Sequence, residues 1–95
     1  MNKHKPYVVK SHGRRVTEEI SRIKLHHSIV AACLSVRVSI GQAEHVAKIV
    51  TDAVIACLAD KPEVTSQDIR RVAADKLKTY NPDAAYMYRN HLSTL

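Results

Sequence analysis

The chain has 95 residues, of which 45% are hydrophobic and 25% are charged, and its formal net charge at pH 7 is +6. A chain of this length and composition forms one small globular domain and leaves no room for a second. No apolar run reaches the roughly 18–20 residues that cross a bilayer, and the N-terminus lacks the apolar centre of a signal peptide. We therefore expect a cytoplasmic protein with no membrane partner.

The positive charge is concentrated at the N-terminus. Residues 1–24 carry seven Lys and Arg against two Glu, whereas residues 25–95 carry eight Lys and Arg against seven Asp and Glu. A segment with this charge attracts an anionic partner, which can be a nucleotide phosphate, a nucleic acid or an acidic protein.

The N-terminal part predicts a flexible basic start and then a hairpin. Residues 1–6 are polar and basic, and Pro6 marks the start of a strand. Residues 7–10 and 14–17 flank a turn in which Gly13 can supply a positive φ, so they predict a β-hairpin. We assign residues 7–92 to a single domain.

Apolar positions with helical spacing predict a first helix that ends near Ser35 and begins either at Thr17 or after an N-cap at Ser21. Within this pattern Leu25 lies off the main apolar stripe, and residues 36–38 form a connector. Cys33 and Cys57 each lie in an apolar helical pattern with no partner at metal-ligand spacing. Both are predicted to be small core residues, with a disulfide as the alternative.

Three more helices are marked by their start signals. Ser39 with Gln42 and Thr65 with Asp68 have the spacing of capping boxes, and residues 81–83 read Asn-Pro-Asp. These signals predict helices that end near residues 59, 79 and 91, with a short strand at 63–64. The order of elements predicts an α+β domain, in which a β-hairpin or three-stranded sheet packs on a four-helix bundle.

The shortage of glycine limits how phosphate can be bound. Gly13 and Gly41 are the only glycines, so a Walker-type loop and a dinucleotide fingerprint are both excluded. Any phosphate must instead be met by cationic side chains near the hairpin and the first helix, which are Lys10, Arg14, Arg15, Arg22 and Lys24. A solvated basic hairpin is the alternative explanation of the same cations.

Nothing in the sequence favours catalysis. His26 and His27 are adjacent in a helix and point about 100° apart, so they cannot both face one metal. Glu18 and Glu19 lie in a basic segment without a nucleophile motif, which favours ion pairing or acceptance of a ligand hydrogen bond. We expect neither an enzyme nor a metal site.

The order of the motifs resembles the ATP-cone, the regulatory nucleotide-binding domain found at the N-terminus of many ribonucleotide reductases and in the bacterial repressor of their genes. The resemblance covers roughly residues 7–90. It is carried by Val-Val-Lys and Gly-Arg-Arg within residues 8–15, Lys-Leu at 24–25, His-His-Ser-Ile-Val-Ala-Ala-Cys at 26–33 and Ala-Tyr-Met-Tyr-Arg at 85–89.

In that family a small sheet is a lid over the four-helix bundle, and ATP or dATP binds between them, often with a change of oligomeric state. The resemblance implies that Val8 contacts adenine, that Lys10 and Lys24 contact phosphate, and that Glu18 or Glu19 meets the base or sugar. Mg²⁺ would be the nucleotide counter-ion. The other implied site residues are Val9, Ser11, His12, Gly13, Arg14, Arg15, Ile20 and Arg22.

Two departures from the family concern phosphate ligands. The family usually has Lys-Arg-Asp-Gly where this chain has Lys-Ser-His-Gly at residues 10–13, so Arg14, Arg15 or Arg22 would replace the missing arginine. Matching Lys24 to the family lysine requires about two extra residues in the hairpin. Without them, Arg22 takes the place of the lysine.

The chain carries no reductase catalytic domain and no zinc-binding cysteines of the repressor type. We therefore expect a stand-alone adenine-nucleotide sensor that signals through a homo-oligomer or through a partner such as a ribonucleotide reductase or a transcriptional regulator. The alternative is a small nucleic-acid-binding protein that uses residues 1–24 as a basic arm.

Overall fold

The computed structural model of the chain describes residues 7–9, 17–19 and 22–90. The flexible start predicted for residues 1–6 lies outside them. The elements in chain order are β1 (Tyr7–Val9), β2 (Thr17–Glu19), α1 (Arg22–Ser35), α2 (Ile40–Leu58), β3 (Glu63–Thr65), α3 (Ser66–Tyr80) and α4 (Pro82–Asn90).

The four helices form a closed bundle in which each helix packs on two others. α1 lies against α2 and α4, and α3 lies against the same two helices. The core is built mainly from alanine, valine, leucine and isoleucine, and Tyr88 is its largest fully buried side chain. None of the helices in the described residues is long and apolar enough to cross a membrane.

The predicted helix starts are confirmed by side-chain caps. The Ser39 hydroxyl accepts a hydrogen bond from the Gln42 amide at 3.3 Å. Thr65 and Asp68 form a complete capping box, because each side chain accepts from the backbone amide of the other at 3.0 Å. The Thr65 amide holds the pKa of the Asp68 carboxyl below its usual value. The Asn81 side chain caps the start of α4, because its Oδ1 accepts a hydrogen bond from the Ala84 amide at 3.0 Å.

The link between α1 and α2 is a Schellman motif without glycine. The Val38 amide donates to the Cys33 carbonyl at 3.2 Å, and the Arg37 amide donates to the Leu34 carbonyl at 3.1 Å. Arg37 adopts a left-handed conformation with φ of 68°, at the position where glycine is usual. The motif turns the chain back so that α1 and α2 pack as neighbours.

The three strands form a sheet in the order β2-β1-β3. β1 pairs antiparallel with β2, with Val8 opposite Glu18, and parallel with β3, with Val9 opposite Thr65. Each strand has three residues. The hairpin predicted from residues 7–10 and 14–17 is wrong in its second strand, because β2 begins at Thr17 and residues 10–16 separate it from β1.

The predicted fold class, an α+β domain with a hairpin or three-stranded sheet as a lid on the bundle, is also wrong, because the three strands pair with one another but are not seen as a lid. Helices make up 83% of residues 22–90, which contain a single short strand, β3. Within the described part of the chain, the substantial packing contact between a strand and a helix is that of β3 with α3, the helix that directly follows it. The described residues therefore form a mainly helical domain in which no lid over the bundle is seen.

Burial corrects two further details of the sequence prediction. Leu25 is fully buried, although it lies off the apolar stripe, whereas Ile23 is 69% exposed. The reason is that α1 has two neighbours, α2 and α4, so its buried face is wider than one stripe. Cys33 is buried as predicted, but Cys57 is exposed, and both are free thiols.

Cys57 is exposed although Leu58, the next residue along α2, is buried, so the two side chains lie on different faces of the helix.

Candidate functional site

The residues proposed from the sequence fall on three elements. Val8 and Val9 lie in β1, Glu18 and Glu19 lie in β2, and Arg22 and Lys24 are the first and third residues of α1. The remaining candidates lie outside the described residues and stay predictions, namely Lys10, Ser11, His12, Gly13, Arg14, Arg15 and Ile20.

The strand register sets the backbone of these candidates side by side. Val8 faces Glu18 across the antiparallel pair, and adjacent strands are about 4.8 Å apart. At one end of the sheet, Val9 lies beside Thr65, the N-cap of α3. At the other end, Tyr7 lies beside Glu19, three residues before α1 begins. The exit from β1 and the approach to α1 are therefore at opposite ends of the strands, about 7 Å apart.

The start of α1 carries two positive side chains. Arg22 and Lys24 are both exposed, and the first turn contains no acid. By contrast, α3 has Asp68 and α4 has Asp83 in the first turn. The N-terminus of a helix carries the positive end of its dipole, so cations there oppose it and anions are favoured.

Arg22 already has an anionic partner on the neighbouring helix. Its guanidinium forms a salt bridge with the Asp52 carboxylate of α2, and Lys48 donates to the same carboxylate at 3.3 Å. The side chains of Arg22 and Asp52 are 46% and 47% exposed. A phosphate that binds Arg22 would therefore have to compete with Asp52.

Two further contacts hold the first half of α1 in place. His26 lies within 2.8 Å of Glu44 on α2, through its Nε2 and the carboxylate Oε1. On the buried side, the Ser28 hydroxyl donates to the Leu25 carbonyl at 2.8 Å and lies 3.0 Å from the Tyr88 hydroxyl of α4. Because the Ser28 proton is directed to the carbonyl, Tyr88 donates to Ser28. α1 is thus fixed to both of its neighbours within two turns of its start.

Tyr88 is a buried residue of the bundle core. It is 1% exposed, and burial raises the pKa of its hydroxyl. A ring in this position cannot stack on a ligand base. Tyr80 and Tyr86, which are 50% and 61% exposed, remain accessible to a ligand or a partner.

Asp52 is a site residue that the sequence analysis missed. Its i,i+4 spacing from Lys48 is visible in the sequence and suggests an exposed pair on one helix. The contact with Arg22 depends on how α1 and α2 pack, which the spacing does not show. In the part of the chain that the structure describes, no group of three His, Cys, Asp or Glu could hold a metal ion.

The model of the ATP cone domain family matches residues 6–91 of this chain, which is nearly its whole length. The chain belongs to the ATP-cone family. A search of curated proteins and a search of solved structures each gave no match. Family membership confirms the resemblance, and it gives this cone a nucleotide-binding regulatory role, which is not a catalytic one. ATP cones in general bind ATP or dATP.

The residues at the start of α1 fit such a ligand. A nucleoside triphosphate is a polyanion, and the described part of this end of the cone offers two cationic side chains at the positive end of the α1 dipole. The carboxylate of Asp52, which would oppose a phosphate beside Arg22, is paired with Arg22 and Lys48.

Proposed function

We propose that this ATP cone binds the triphosphate of ATP or dATP at the start of α1 and acts as a nucleotide sensor. The observation that carries the proposal is the first turn of α1, which holds Arg22 and Lys24 and no acid. The family supplies the ligand class, and this turn supplies a place for its charge.

Electrostatics favours an anion at this position. A charge near the end of a helix dipole is worth about 0.3–1 kcal/mol when exposed, so the two cations destabilise α1 by an amount of that order. A bound triphosphate reverses the sign of the effect, because its negative charge lies at the positive end of the helix dipole and pairs with both side chains. Nucleotide binding should therefore stabilise the fold.

The remaining contacts of the proposal come from β1, β2 and the residues that join them. We assign Val8, Val9 and Ile20 to the adenine and Glu18 or Glu19 to the base or sugar. The phosphates would also meet the residues between the strands, which are Lys10, Ser11, His12, Gly13, Arg14 and Arg15. The pairing of Val8 with Glu18 supports a ligand that touches both strands. Mg²⁺ would accompany the triphosphate as its counter-ion.

In this proposal the output is a change in assembly. ATP or dATP alters self-association of the cone, or its contact with a ribonucleotide reductase or a transcriptional regulator. Size-exclusion chromatography with light scattering, in the presence and absence of each nucleotide, measures the first of these outputs. If the molar mass does not change with saturating nucleotide, self-association is not the output, and the cone would have to signal through a different partner.

The binding step is tested by thermal unfolding. If the nucleotide concentration exceeds the dissociation constant 100-fold, the free energy of unfolding rises by about 2.7 kcal/mol. For a domain of this size, that corresponds to an increase in Tm of roughly 10 °C or more. Absence of any shift with millimolar ATP and dATP, with and without Mg²⁺, would refute the proposal.

Variants locate the site. Lys24→Ala and Arg22→Ala should each remove most of the ATP-induced shift, whereas Lys61→Ala, which removes one charge outside α1, should keep it.

A calorimetric titration with ATP, dATP and GTP then gives the base and sugar preference. A parallel titration with random-sequence DNA, with and without ATP, tests the alternative of a basic arm: nucleotide-independent DNA binding that weakens steeply with salt would favour that alternative.

A further inference from the structure

The carboxylate of Asp52 is shared by two cations that reach it from different helices. Arg22 of α1 pairs with one carboxylate oxygen, Oδ1, and Lys48 of α2 donates to the other oxygen, Oδ2, at 3.3 Å. Lys48 lies one turn before Asp52, so its contact stays within α2, whereas the contact of Arg22 joins two helices. Because the two cations use different oxygens, Asp52 can lose Arg22 and keep Lys48.

Lys48 lies between two acids on the same face of α2. Glu44 is one turn before it and Asp52 is one turn after it. The carboxylate of Glu44 lies 2.8 Å from the Nε2 of His26, and within the described residues the salt bridge of Lys48 is with Asp52. The Lys48 side chain is 71% exposed, so it is free to follow the carboxylate of Asp52.

This pair contributes little to the stability of α2 in the absence of ligand. A helical i,i+4 pair is stronger when the acid precedes the base, and here Lys48 precedes Asp52. Exposure weakens the pair further, and the carboxylate is already compensated by Arg22.

The contribution of Lys48 increases when Arg22 turns to a phosphate. Asp52 is then a negative charge close to a bound polyanion, and repulsion between like charges weakens binding. Lys48 is the cation that still compensates this charge, because its contact with Asp52 does not depend on the position of Arg22.

We propose that Lys48 is a positioning residue of the nucleotide site, which holds the carboxylate of Asp52 when Arg22 moves from Asp52 to the phosphate. This inference rests on the proposed function, in which the triphosphate binds Arg22. In the free protein, Arg22 and Lys48 share the carboxylate, and in the bound protein Lys48 holds it alone. Lys48 acts on affinity through Asp52 and does not contact the ligand.

The test begins with a calorimetric titration of the full chain with ATP at low ionic strength. Lys48→Gln should weaken ATP binding by about twofold or more, since it leaves Asp52 uncompensated in the complex. Lys48→Arg keeps the positive charge at the same position and should bind ATP as the parent protein does. Lys78→Gln is the matched control, because it removes one exposed positive charge from α3. It should change the affinity by less than about 1.5-fold.

A double-mutant cycle separates action through Asp52 from direct contact with the ligand. In the Asp52→Asn background, Lys48→Gln should weaken ATP binding no more than Lys78→Gln does in that background, because no carboxylate remains to be held. Thermal unfolding of each variant without ATP shows that it is folded.

Each other outcome refutes a specific claim. Equal weakening by Lys48→Gln with and without Asp52 would mean that Lys48 contacts the ligand itself, which overturns the inference. If the parent protein binds ATP and Lys48→Gln has no more effect than Lys78→Gln, the inference is wrong and the proposed function is unaffected. Absence of ATP binding by the parent protein would refute the proposed function, and this inference with it.

Discussion

The salt bridge of Arg22 with Asp52 leads to a prediction in which stability and ligand affinity change in opposite directions. Asp52→Asn removes the carboxylate that Arg22 and Lys48 share. The folded protein without ligand loses an attraction between α1 and α2. At the same time, the guanidinium of Arg22 is released for a phosphate, and one negative charge near that phosphate disappears.

The size of both effects follows from exposure. The side chains of Arg22 and Asp52 are about half exposed, and exposed ion pairs are worth about 0.2–1 kcal/mol. The variant without nucleotide should therefore unfold up to about 8 °C below the parent protein. In the variant the salt bridge does not have to be broken before Arg22 binds phosphate, so ATP binding should tighten by about 1.4- to 5-fold. Both effects should decrease at high ionic strength, because salt screens exposed charges.

Calorimetric titration with ATP and thermal unfolding without ATP measure the two quantities on the same samples. Asp75→Asn is the control, because it removes an exposed carboxylate from α3, far along the chain from Arg22, and makes the same change in net charge. Asp75→Asn should change the affinity for ATP only by the amount that the change in net charge causes. Weaker ATP binding by Asp52→Asn than by the control would show that Asp52 positions Arg22 for the ligand and does not compete with it.

Three other predictions concern the bundle. Tyr88→Phe removes the buried hydrogen bond to α1 and should lower the free energy of unfolding in urea by about 0.5–1.5 kcal/mol. Arg37→Gly should raise it by up to about 1 kcal/mol, because glycine adopts the left-handed conformation without a steric penalty. The lowered pKa of Asp68 means that its contribution is present above the unfolded pKa and is lost as pH falls through the folded value. The parent protein should therefore lose stability below about pH 4, and Asp68→Asn should lose less over the same interval.

Local signals in the sequence were sufficient for the starts of α2, α3 and α4, whereas the start of α1 was left open between Thr17 and Ser21. Ser39, Thr65 and Asn81 were identified as caps because each motif is complete within four residues, and the structure confirms each helix start. The Schellman motif at Arg37 was not predicted, because the sequence has no glycine there to mark it. A positive φ at an arginine is imposed by the packing of α1 against α2 and leaves no local trace.

The strands and the site depended on pairing between distant residues. β2 begins at Thr17 and not at residue 14, because a three-residue strand is placed by its partner across the sheet and a turn signal at Gly13 does not fix that register. The cations Arg22 and Lys24 could be found by counting charge. The contact of Arg22 with Asp52 could not, since it joins two helices at positions that only the packed bundle defines.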